Sequence, residues 1–226
     1  MKTDDPIVYP NQWQHDYYVL SELRLKLEYV IATYIASSRR RPVMVDVGCG
    51  SMPYKRLFAP HVERYIGVDI AENEAADIHL TALGIPIDDA YADLLLSTQV
   101  LEHVDSPEMY LRECYRILKK GGLLVLSTHG YWVYHPCPTD YWRWTSDGLS
   151  TTIARAGFNK VESIGIMGAA AAALQLFQDA VKHKINRLFK PAVFYCGQNL
   201  IRFVDRMYSR ASRDIDACVY VVVARK

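Results

Sequence analysis

No stretch of this chain approaches the ~20 consecutive apolar residues that a membrane-spanning helix needs. Its first residues, MKTDDPIVYP, place acids and prolines where a secretory leader would carry an apolar core. Both absences point to the cytoplasm as the expected compartment. Cysteine has no pattern either: Cys49, Cys114, Cys137, Cys196 and Cys218 are odd in number and widely spaced, with no CxxC and no Cys/His pair at ligand spacing. Neither a disulfide framework nor a metal site is expected. Charge of one sign is also lacking. With 26 Lys+Arg against 25 Asp+Glu the net charge is +1, which argues against nucleic acid as a partner of the whole molecule.

What the chain does have is a full-sized core. Half of its 226 residues are hydrophobic and 23% are charged, enough for one large domain or one domain with an insertion. Tyrosine is frequent, at 16, and gathers near the N-terminus and around Tyr131–Tyr141, which suggests an aromatic-lined pocket. From Gln14 to Ser37 apolar residues recur at helical spacing, up to the basic Arg39-Arg40-Arg41 and Pro42. Residues 1–41 are therefore read as a helical cover. Its aromatic entry (Tyr9, Trp13, Tyr17, Tyr18) either caps a pocket or packs the helix down.

Residues 42–226 read as alternating strands and helices. Strands are expected at Val43–Val47, Tyr65–Asp69, Ala92–Ser97, Leu123–Ser127, Val161–Ile166 and Cys218–Ala224. Helices are expected at Tyr54–Phe58, from Pro107 to Lys119 with closure at Gly121-Gly122, and from a Thr145 cap to Ala156. That alternation implies an α/β fold, a mostly parallel sheet with helices on both faces. Ligands in such sheets lie outside the carboxyl ends of the strands. Gly48-Cys49-Gly50, Asp69, Gln99 and His129 all follow expected strand ends and would share that rim.

Glycines after the first strand admit a ligand close to the backbone, and an acid ending the second strand can accept ribose hydroxyls. The pair Gly48/Gly50 with Asp69, 19 residues beyond Gly50, fits a nucleotide-like ligand. A dinucleotide is disfavoured, because the third glycine of GxGxxG is replaced by Pro53.

Four segments in order, DVGCG, IGVDI, IPIDDAYADLLLSTQVLEHV and RILKKGGLLVLSTHG, resemble the class I S-adenosylmethionine-dependent methyltransferases. The similarity runs from Pro42 to Phe158 plus the final strand and is nearest to the small-molecule branch with the LEHV signature. It implies a Rossmann-like sheet with an antiparallel last strand and S-adenosyl-L-methionine as cofactor. Asp46, Gly48, Cys49 and Gly50 would meet the methionine end, with Gln99 beside it. Asp69 would hold the ribose and Ile70 would pack on adenine. Where relatives carry an acid for the adenine amino group this chain has Thr81, which shifts that contact to the backbone near Ala82 and Leu83. His103 would lie near the site.

The segment YWVYHPCPTDYWRWT, Tyr131–Thr145, follows the strand ending at Ser127, on the side where the family binds acceptors. Similar segments occur in relatives encoded with surface-polysaccharide or glycolipid assembly. The expected acceptor is thus a small molecule or a glycan or glycolipid. Tyr131, Tyr141, Arg143 and His103 are candidate contacts. A hydroxyl acceptor must lose a proton as its bond forms. His135 is the first choice of base, with Asp140 to orient or replace it, and His129 is the runner-up. The competing reading makes Asp140–Arg143 a structural ion pair. The same residues leave N- or C-methylation, or an inactive cofactor-binding scaffold, open.

Before the last strand, at about residues 169–213, lies a helical insertion. Leu174, Phe177, Val181, Ile185 and Leu188 repeat at helical spacing, as do Leu200, Val204 and Met207 beyond Pro191 and Gly197. Arg202, Arg206 and Arg210 fall on one helical face. Three roles stay open: contact with an anionic membrane surface, a lid on the acceptor pocket, or a homodimer interface.

Overall fold

The structure, a computed structural model, describes residues 5–38, 40–82 and 84–226. Helix α1 (Tyr17–Val30) runs on through a π-helical turn, Ile31–Ile35. It buries Leu23, Leu27, Val30 and Ile31, spaced so that one stripe faces the sheet. Those side chains share a core with Met44, Leu94, Val221 and Val223 of the sheet, so the N-terminal cover is a layer of the same body.

Strand β1 (Val43–Val47) leads to α2 (Lys55–Phe58), β2 (Arg64–Asp69), the two-residue β3 (Ile78–His79) and β4 (Ala92–Thr98). Helix α3 (Pro107–Ile117), β5 (Leu118–His129), α4 (Ser146–Arg155) and β6 (Asn159–Gly168) follow. Helices α5 (Ala169–Val181), α6 (Lys190–Asp205) and α7 (Arg210–Ile215) precede β7 (Ala217–Arg225). The sheet order is β3-β2-β1-β4-β5-β7-β6. Strands β1 to β5 pair in parallel, and β7 runs antiparallel between β5 and β6. Strand order reverses between β1 and β4, which creates a crevice at their carboxyl ends.

Two expected boundaries move. The Lys119-Lys120-Gly121-Gly122 run does not close α3; the helix ends at Ile117 and these residues open β5. Leu118 pairs with Ala92, and Gly121 and Gly122 exchange backbone hydrogen bonds with Lys226. Lys119 donates to Asp93 at 2.8 Å instead of capping carbonyls. Gly197 does not interrupt the insertion but sits inside α6. A Cβ there would lie 2.1 Å from Gln178 Oε1, so glycine lets α5 and α6 approach closely.

The insertion buries its helically spaced apolar residues only in part, with Leu174 and Val204 packed on the core. Its buried side chains include Gln175, Gln178, Asp179, Gln198 and Asp205, whereas Phe177, Leu188 and Met207 are exposed. Leu188 lies between α5 and α6. The arginine stripe breaks as well, because α6 ends at Asp205 and Arg210 opens α7, where it pairs with Glu162 and Asp214. The buried polar groups clasp α1 to the insertion. Gln175, Gln178 and Gln198 each donate to the His15 carbonyl at 2.6–2.8 Å, and Tyr18 Oη donates to Asp205 at 2.8 Å. These bonds offset most of the cost of burying the amides and carboxylates, with only Gln178 Oε1 of the three amides left without a partner.

Candidate active site

At the end of β1 the chain turns through Gly48 (φ 74°) and Gly50 (φ 51°), a left-handed backbone that side chains disfavour. A Cβ on Gly48 would lie 2.3 Å from Val100 Cγ2, while one on Gly50 would enter open space. The turn is anchored by Gly48 N–H and Cys49 N–H, which both donate to the Val68 carbonyl. Asp69 ends β2 beside it. Its Oδ2 accepts from Gly50 N–H at 2.7 Å and Asn73 Nδ2 at 2.8 Å, and Oδ1 accepts from Ile70 N–H at 2.8 Å. An ionised carboxylate has about four acceptor sites, so one stays open toward the rim. The next side chain, Ile70, is 42% exposed, an apolar surface with no cover beside that carboxylate.

Deeper in the crevice, Asp46 is buried and accepts from the Tyr65 hydroxyl through Oδ2, while its Oδ1 has no hydrogen-bond partner. Burial pushes its carboxyl up to about 7, against the Tyr65 hydrogen bond and with Asp69 adding to the rise. Gln99, after β4, takes a left-handed backbone (φ 56°) and donates through Nε2 to Ser127 Oγ at 2.9 Å. Its Oε1 is likewise buried without a partner. Two buried acceptors without donors, near the carboxyl ends of the neighbouring strands β1 and β4, suit a ligand that brings N–H groups.

The raised value gives a test. A carboxyl whose folded pKa exceeds its unfolded one contributes stability below the unfolded value and loses it as pH rises through the folded value. Asp46→Asn cannot ionise, so the ligand-free variant melts above the wild type at pH 8. Below about pH 4 that advantage disappears. Thermal melts at both pH values check this, and an equal difference at the two would contradict it.

At the end of β5 three histidines converge. The His129 ring is buried, stacked on Trp132 at 4.9 Å, with Nδ1 2.8 Å from Glu102 Oε1. Glu102 is itself buried; that burial alone would raise its carboxyl, but hydrogen bonds from His129 and Thr128 hold it below its ordinary range. The His135 ring centroid lies 5.2 Å from that of His129 and 4.9 Å from that of His103. His103 is pinned by its Nδ1 to the Thr139 carbonyl at 2.5 Å. His135 is part-exposed, and burial, helped by its two histidine neighbours, lowers its pKa, which leaves a neutral imidazole at neutral pH.

The loop that carries His135 is braced by Arg143. Its guanidinium grips Asp140 with two 2.6 Å hydrogen bonds and donates to the carbonyls of Trp132, Val133 and Trp142. All five N–H groups are thereby used. Arg143 therefore keeps no donor for an acceptor, and the expected substrate contact is corrected to a structural strut. Asp140, held well below the usual carboxylate range by that guanidinium, accepts from His135 N–H at 2.9 Å. It can orient the histidine but is a poor substitute base. The Tyr131 hydroxyl is engaged by Asp216, whereas the Tyr141 side chain is 53% exposed on the rim. Thr81 and Ala82 are exposed beside a bridge from Thr81 to Gly84, and Leu83 lies outside the described residues.

Residues 45–126 match the family model of a methyltransferase domain. The ubiquinone biosynthesis O-methyltransferase of Cereibacter sphaeroides is 31% identical over 159 residues, which cover 55% of this chain and 63% of the relative. That of Maricaulis maris is 33% identical, covering 43% and 46%. Among solved structures, phosphoethanolamine N-methyltransferase 2 of Haemonchus contortus in complex with S-adenosyl-L-methionine superposes with a TM-score of 0.57. It shares 13% identity and covers all of this chain and 60% of that one. Residues 45–126 thus resemble a class I S-adenosylmethionine-dependent methyltransferase domain. The cyclase SpnF superposes as well, with a TM-score of 0.58 at 19% identity over 92% of this chain and 83% of its own, so the fold by itself does not settle the reaction. The chain spans between 36% and 63% of the length of the curated methyltransferases it matches.

S-adenosylmethionine, the cofactor of that family, fits the residues of this site. Asp69 has an acceptor site for a ribose hydroxyl, Ile70 an open apolar face for adenine, and Asp46 with Gln99 unpartnered acceptors for an ammonium group. Two residues of this candidate site carry no clear signal in the sequence. Asn73 ties Asp69 to the Gly50 carbonyl at 2.8 Å, and a lone asparagine in a loop carries no signal. Glu102 holds His129 and takes the Tyr141 and Trp142 N–H groups on its own carbonyl. An acid between Leu101 and His103, just after a buried strand, is the available clue.

Proposed function

We propose that the chain methylates a hydroxyl oxygen of a small-molecule or glycan-type acceptor. The carrying observation is His135, a part-exposed neutral imidazole on an aromatic loop at the carboxyl rim. S-adenosylmethionine, when bound, supplies a methyl group on a cationic sulfur that needs no further activation. What falls to the chain is alignment and the proton. His135 would take the proton of the acceptor hydroxyl, and Asp140 and the neighbouring rings would hold the imidazole in place. Tyr141 and Trp142 offer aromatic faces to an acceptor ring, a surface suited to sugars and phenols. The names of the curated relatives at 31% and 33% identity support oxygen as the receiving atom.

The test is methyl transfer from isotope-labelled donor to matched phenolic, sugar and amine acceptors, with the product bond assigned by NMR. An O–CH3 product is expected. Transfer to nitrogen or carbon alone would overturn this reading.

A further inference from the structure

The insertion presents an outer surface that the fold leaves uncovered. On α5, α6 and their connection, Phe177, Leu188, Phe189, Leu200, Phe203 and Met207 are between 50% and 79% exposed. Leu200 and Phe203 lie three residues apart on α6, and Met207 follows in the turn just past its end. Cations border this surface: Lys184, Arg187, Arg202 and Arg206 are all exposed and form no ion pair among the described residues. Between Ala169 and Ser209 the only acids are Asp179 and Asp205. Both are buried, Asp179 against His15, Gln175 and Lys182, and Asp205 against Tyr18, Gly168 N–H and Arg213. The outer surface is thus apolar and cationic with no exposed carboxylate, on a molecule whose net charge is only +1.

We infer that this surface docks the protein onto an anionic lipid bilayer. Aromatic and aliphatic side chains enter the headgroup boundary while the flanking cations meet anionic lipid. The buried polar clasp takes up part of the inner face: Gln175, Gln178, Asp179 and Gln198 lie inward beside Ala172, Phe194 and Ile201, and Phe177, Leu200 and Phe203 are left outward. A second copy is a poorer occupant, because two-fold packing would set the same four cations against themselves. Helix α5 springs from Gly168 at the end of β6, parallel to β5 and thus on the same rim as His129, so docking would bring the acceptor loop toward the bilayer.

The full-length chain is floated with vesicles of phosphatidylcholine alone or mixed with phosphatidylglycerol. It is expected to rise with the mixed vesicles only and to be released by salt. At about 1 kcal/mol per basic residue near such a surface, Arg202→Gln with Arg206→Gln weakens partitioning about 25-fold. Leu200→Ser with Phe203→Ser removes it at unchanged charge. Unaltered S-adenosylmethionine affinity in both variants shows that they are folded. Flotation of the wild type that does not depend on phosphatidylglycerol would overturn the inference. So would a stable dimer that Phe203→Ser disperses, since a second copy would then cover this surface.

Discussion

Asp69→Ala lowers affinity for S-adenosylmethionine by at least about 100-fold. One open acceptor site faces the rim, and a hydrogen bond to a charged group is worth about 1.5–3 kcal/mol. The carboxylate does more than meet the ligand, because it also fixes Gly50 N–H and Asn73. Its removal frees the turn whose shape the Gly48 and Gly50 backbone defines, and binding must then restore that order. Asn73→Ala separates the two contributions: it leaves the carboxylate in place and loosens only the clamp, so a smaller loss, on the order of tenfold, is expected. Isothermal calorimetry on both variants measures the difference. Equal losses would show that the loop, and not the open acceptor site, dominates.

The second large effect belongs to His135. His135→Gln is expected to lower kcat by about 10²–10⁴-fold, the usual contribution of a general base, with cofactor affinity unchanged. The wild type gains activity as pH rises through a midpoint below the ordinary histidine value of about 6.5, because burial and the neighbouring His129 and His103 depress the pKa of His135. The residual activity of the variant loses that limb. His129→Asn keeps the limb while lowering activity through disorder, since His129 is stacked on Trp132 and bound to Glu102. A pH limb that vanishes with His129 and persists without His135 would reverse the assignment.

The sheet and the glycine turn after β1 are legible because their signals are local. Val43–Gly50 holds a buried strand, its left-handed turn and its orphan acid in one run, and Asp69 repeats the logic one strand later. The inner face of the insertion was not legible for the opposite reason. Spacing showed that Phe177 and Leu188 recur with a helical period but not which way they face, and the decisive partners of the inner face, His15 and Tyr18, lie at least 160 residues away in sequence. Gln175 and Gln198 read as solvent-facing amides until those partners are known. Arg143 failed similarly. A cation in an aromatic loop suggests a ligand contact, and only the three-dimensional course of Trp132 to Trp142 shows that its donors are all taken by carbonyls and Asp140. Local pattern sets elements and turns, whereas long-range pairing decides which polar side chains are free to act.

The most direct measurement is calorimetric titration of the wild-type chain with S-adenosylmethionine and, separately, with NAD. The unpartnered Asp46 and Gln99 acceptors, the open site on Asp69 and the exposed Ile70 predict saturable binding of S-adenosylmethionine at one site per chain and no binding of NAD. Binding of NAD, or S-adenosylmethionine binding that Asp69→Ala leaves unchanged, would contradict the cradle described here.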